Sequence, residues 1–195
     1  MATQPQPLPL FQRQLGEAWH RLPLPIRRLH DVAAPTQWQG RCQVQRGRHP
    51  LAWLIATANG LPQAGDDQPI TLTMAPCDEG ERWLRQIGGS RFGSLLRARG
   101  EPGSGGLSER LGPVTQHMRL VVQAGRLDYR MCGWRLLGVP MPAWLGLRCT
   151  AVESSAADGL RFDVEIGHPL TGLIVRYSGW LESAKPAQAN PQSPP

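Results

Sequence analysis

Residues 38–44 read Trp38, Gln39, Gly40, Arg41, Cys42, Gln43, Val44. Trp38, Gly40, Cys42 and Val44 fall on one parity, and the glutamines with Arg41 fall on the other. That is the period of an antiparallel strand with one apolar and one solvated face. The alternation returns along the chain: Ile70, Leu72 and Met74 against Thr71 and Thr73, then Phe162, Val164 and Ile166 against Asp163 and Glu165. Further strands are expected around Trp83 to Ile87, Phe92 to Ala98, Leu107–Leu111, Val114–Val122, Leu127–Leu137, Leu147–Val152 and Leu173–Leu181. Strands of this kind, joined by tight turns such as Gly112-Pro113 and Ala124-Gly125, must curl around a shared interior.

The rest of the chain fits around that sheet. Phe11, Leu15, Trp19 and Leu22 recur at three- to four-residue spacing, which predicts a helix ended by Pro23. Pro25 suits the first turn of a second short helix carrying Ile26 and Leu29. Residues 50–59 predict a third helix directly after the first strand, with Gly60 as its left-handed cap. The segment Leu137 to Leu145 holds two prolines and is expected as an apolar loop or short helix closing one end. Residues 100–106 (GEPGSGG) predict a flexible loop tip. Gly133-Trp134 and Gly179-Trp180 predict corners of a curved sheet. Residues 1–9 and 184–195, rich in Pro, Gln, Ser and Ala, predict loose tails around one domain over 10–183.

About ten strands with an early helical lid predict a mainly β (α+β) fold, an antiparallel barrel of the lipocalin or fatty-acid-binding-protein kind. The alternative is the helix-grip fold of START domains and plant allergens, which ends in a long helix.

The 21 basic and 15 acidic residues leave a net charge of +6, but Lys185 is the sole lysine and the arginines are scattered. No basic stripe forms a nucleic-acid footprint. The four cysteines show no C-x-x-C and no histidine at zinc-finger spacing, so neither a metal nor another cofactor is expected. With no signal-peptide pattern and no run of about 20 apolar residues, a cytoplasmic protein without a membrane span is expected.

The set Leu29-His30-Asp31, Gly60-Leu61-Pro62, Glu81-Arg82-Trp83, Glu109 to Pro113, Phe162-Asp163-Val164 and Tyr177 to Trp180 resembles a bacterial family known as domain of unknown function 4166. The resemblance runs from about Phe11 to Leu181. It implies relatives fused behind NAD(P)-binding, saccharopine-dehydrogenase-like modules or behind membrane segments, and from the former an NAD(P)-dependent partner. This chain has no G-x-G-x-x-G after a strand, so that module would belong to another protein.

Site candidates come from the places where the alternation breaks. Glu109 shares parity with Leu107 and Leu111, and Arg85 lies between Trp83 and Ile87, which sends both charges toward the apolar face. A desolvated Glu109 would serve as general acid or base, and the pair would anchor a ligand head group. Tyr129 and Tyr177 sit among apolar neighbours, where they pack in the core or turn their hydroxyls to a ligand, and Trp83 lines the same face. His30-Asp31 is expected to end its helix, since adjacent helical residues do not face each other. No G-x-S-x-G is present, and Ser94 has no neighbouring base. Three functions follow as expectations: binding of an apolar or amphipathic small molecule inside the barrel, an isomerase, cyclase or hydratase using Glu109, or a non-catalytic domain docking on the NAD(P)-dependent partner.

Overall fold

A computed structural model describes residues 8–156 and 159–184. The expected tails, apart from Leu8, Pro9 and Ala184, and the link at 157–158 lie outside the described residues. Among the described residues there are three short α-helices and eleven strands, of which β1 Thr36–Arg46, β2 Gly65–Cys77, β3 Gly80–Ile87, β4 Ser90–Ala98, β5 Gly106–Leu111 and β6 Val114–Gln123 come first. The series continues with β7 Arg126–Leu136, β8 Val139–Met141, β9 Arg148–Ala156, β10 Gly159–His168 and β11 Gly172–Ser183.

Every pairing is antiparallel. Consecutive hairpins run from β1 to β7, β9 joins β7 on the far side, and β11 returns to pair β1 from Trp38–Ser183 to Arg46–Val175. The sheet therefore closes into a ten-stranded antiparallel barrel, of the lipocalin and fatty-acid-binding-protein kind, with β8 attached to the edge of β7. Closure leaves no long unpaired edge among the described residues. The helix-grip alternative is excluded, because the sheet is closed and the last described element is β11 rather than a helix.

The alternation decides which side chains enter. Trp38, Cys42 and Val44 are buried while Gln39, Arg41 and Gln43 are exposed. A one-residue slip would reverse both sets, so burial fixes the register. Gly133 stands at a bulge, where the β6–β7 register shifts between His117 and Met118. Gly179 meets a different demand: a Cβ there would lie 2.0 Å from the Arg41 carbonyl oxygen, so the β1–β11 seam requires a bare backbone.

The two ends of the barrel are closed differently. At one end sit α1 Leu10–Leu15, a 3-10 segment Gly16–Arg21 and α2 Leu24–His30. The single helix expected up to Pro23 is broken at Gly16, whose φ of 52° leaves the helical region. Phe11, Leu15, Trp19, Ile26 and Leu29 still face one way and plug the interior. Phe11 is wholly buried, and truncating such a ring to alanine costs about 3–5 kcal/mol. The flexible tip expected at 100–106 is tied down: Gly103 and Gly105 donate their N–H groups to the carbonyls of Arg13 and Gln14 at 3.0 and 2.8 Å, and Gly106 opens β5.

The opposite end carries α3 Pro50–Ala58, capped as expected by Gly60 at φ 65°. Leu61 follows it inward to the cavity. The proline-broken segment becomes the short β8 and a 3-10 turn at Ala143–Leu145. No helix among the described residues is long and apolar enough to cross a membrane.

Candidate functional site

The barrel interior is not filled. A cavity of about 90 Å³ runs between walls that include Leu72, Phe92, Met118, Phe162 and Val164. A water needs roughly 10–15 Å³ by this measure, so the space holds on the order of six waters or a compact organic molecule. Polar groups enter it at two stations.

The first station spans three neighbouring strands. Arg85 on β3 donates from Nη1 to Ser94 Oγ on β4 at 2.9 Å and from Nη2 to Glu109 Oε1 on β5 at 3.2 Å. Ser94 passes its own hydroxyl hydrogen to the same Oε1 at 2.5 Å. Glu109 thus spends one oxygen on both partners, while Oε2 makes no hydrogen bond among the described residues. The guanidinium lies 5.0 Å from the Trp83 ring centre and 5.8 Å from that of Phe92, close enough for cation–π attraction. Burial opposes the charge on Arg85, yet the Glu109 carboxylate leads the contacts that outweigh it and hold its pKa above the ordinary value. The sequence places Glu109 next to Arg110, but that neighbour turns outward and donates to the Gly112 carbonyl instead.

The second station lies against the plug. Tyr129 donates to Glu153 Oε1 at 2.9 Å, and His30 Nε2 sits 2.6 Å from Glu153 Oε2. His30 is wholly buried and stacks on Phe11 with ring centres 3.8 Å apart. Tyr129 and Glu153 line the cavity, so this network is continuous with it. Burial first, and then Glu153, push the Tyr129 hydroxyl far above its usual pKa, which keeps it a neutral donor. Behind it Glu81 accepts from the Trp83 indole at 3.0 Å, and burial pushes its carboxyl up.

Trp83, Arg85, Glu109, Tyr129 and Tyr177 all line this one cavity. Tyr177 contributes its ring, packed against Phe92 and Phe162. Its hydroxyl makes no hydrogen bond among the described residues, and burial raises its pKa. Cys149 also lines the cavity, but burial, reinforced by Glu109, pushes its thiol up to about 12 and makes it a poor nucleophile. No group of three or more metal-ligating side chains occurs among the described residues.

His30 ends α2 as expected, but its contact with Glu153, and Glu153 itself, escape the sequence reading. Both left a signal: Glu153 shares parity with Cys149 and Ala151, and His30 stands four residues after Ile26 on the buried stripe of α2.

No curated protein and no solved structure matches the chain. Residues 22–181 match the family described as Domain of unknown function (DUF4166), and the chain, a closed barrel around a polar-studded cavity, belongs to that family.

Proposed function

We propose that the barrel binds a compact amphipathic molecule in its interior, with its polar group at Arg85, Ser94 and Glu109 and its apolar body against Leu72, Phe92 and Phe162. The observation that carries this reading is an apolar cavity in which one of the two lining carboxylates, Glu109, keeps an oxygen without a hydrogen bond among the described residues. Arg85 is already neutralised by Glu109 at 3.2 Å, so the site favours a neutral ligand. Among the described residues the open positions are two acceptors, Glu109 Oε2 and Gln116 Oε1, and a donor, the Tyr177 hydroxyl. A hydroxyl or amide group, which both donates and accepts, suits such a mixed set. The chain's four cysteines are free, in keeping with a cytoplasmic setting.

Native mass spectrometry of protein purified without detergent tests the reading. The wild type is expected to carry a small-molecule adduct, and Ala151→Phe, which puts a ring into the cavity, is expected to lose it. A bare wild type that no amphipathic compound stabilises against heat would refute the proposal.

A second reading uses the same free oxygen for proton transfer in an isomerisation, cyclisation or hydration. It predicts that Glu109→Gln abolishes turnover while leaving ligand bound. Unchanged turnover would remove Glu109 from any mechanism.

A further inference from the structure

The two ends of the barrel differ in where their acids stand. The segments forming the α3 end are residues 47–64, 88–91, 110–114, 135–148 and 168–172, and none contains an Asp or a Glu. The acids Glu17, Asp31, Asp78, Glu79 and Glu101 stand at the plugged end instead, interleaved with Arg13, Arg21, Arg27, Arg28 and Arg99. The α3 end holds exposed Arg48, Arg91, Arg135 and Arg148, none of which forms an ion pair among the described residues. Of the acids bordering it, Asp66 and Asp67 are engaged by Gln43 and Arg41, and Glu165 lies 4.0 Å from Arg176.

The same end displays the large apolar side chains that the core leaves out. Trp53 is 56% exposed, Leu54 57%, Leu137 79%, Val139 60%, Trp144 70% and Leu170 72%. These come from separate connections held together as one rim. Leu137 donates its N–H to the Pro113 carbonyl at 2.9 Å, His168 Nε2 lies 3.1 Å from the Leu145 carbonyl, and Gly47 donates to Ile174 at 3.0 Å. Exposed tryptophans and leucines among unpaired arginines, with no acid present, match an interface of hydrocarbon beneath phosphate. A nucleic acid offers the phosphate without a place for the leucines.

We propose that the α3 end docks on an anionic membrane surface, with Trp53 and Trp144 entering the interface and Arg48, Arg91, Arg135 and Arg148 meeting lipid phosphates. The proposal stands whatever the cavity holds.

Co-sedimentation of the full chain with lipid vesicles tests it, comparing pure phosphatidylcholine with a mixture containing about one-third phosphatidylglycerol. The protein is expected to pellet with the mixed vesicles at about 0.1 M salt, to leave them at about 0.5 M, and to ignore the neutral ones. Trp53→Ser with Trp144→Ser is expected to weaken binding about ten-fold. Arg48→Ala and Arg148→Ala are each expected to weaken it about five-fold. Because all four side chains are exposed, circular dichroism should show the fold unchanged. Absence of binding to either vesicle, or equal binding by the tryptophan variant, overturns the proposal. So does self-association that depends on Trp53 and Trp144, or capture of DNA or a protein partner by this face with no vesicle binding.

Discussion

Arg85 and Glu109 stand two strands apart, and their side chains meet inside the barrel at 3.2 Å, bridged by Ser94 of the strand between them. Only 14% and 18% of the two side chains is exposed. At that burial each charge depends on the other, because an unpaired ion in this setting costs several kcal/mol.

Arg85→Met and Glu109→Leu are each expected to destabilise the fold by about 3–5 kcal/mol, since each strands a buried charge. The double variant should lose clearly less than the sum, by more than about 1 kcal/mol. Denaturant titration of the four proteins closes the cycle. Additive losses would mean that the pair is not coupled.

Tyr129→Phe removes the donor to Glu153 Oε1 and leaves a buried acceptor without its partner. A loss of about 1–3 kcal/mol is expected. An unchanged thermal midpoint would show that Glu153 is satisfied without Tyr129.

The Glu81 carboxyl, raised by burial above its ordinary 4.5, links stability to pH. An acid held protonated more tightly in the folded state favours folding below its ordinary pKa, and that contribution is lost as pH rises through the raised value. Glu81→Gln should therefore gain stability relative to wild type as pH climbs from below 4.5 toward neutral. Chemical unfolding across that range reads the difference directly, and a difference that shrinks with pH would contradict the assignment.

Cysteine reactivity should follow burial. Burial pushes Cys42 to about 11 and Cys149 to about 12, whereas Cys132 is exposed. Brief alkylation near neutral pH is expected to label Cys132 and spare the other two, read by peptide mass spectrometry. Rapid labelling of Cys149 would mean that the barrel opens.

Much of the barrel was legible because a strand's period of two writes burial directly into the sequence. Arg85 and Glu109 stood out as charges on an apolar parity, and the structure brings both to one cavity. Ser94 left no comparable mark, since a small hydroxyl between Phe92 and Leu96 breaks no pattern. The His30–Glu153 contact joins residues 123 positions apart on a helix and a strand, and one sequence cannot show which distant elements meet. The 100–106 segment is misread for a related reason: its glycines suggest looseness, while the N–H groups of Gly103 and Gly105 are tied to the carbonyls of α1.

The central claim is an occupied cavity. A high-resolution crystal structure of protein purified without detergent examines it most directly, through the electron density between Glu109 and Tyr177. The account predicts a compact organic molecule hydrogen-bonded to Glu109 Oε2. Ordered water alone, with no compound able to replace it, would contradict it.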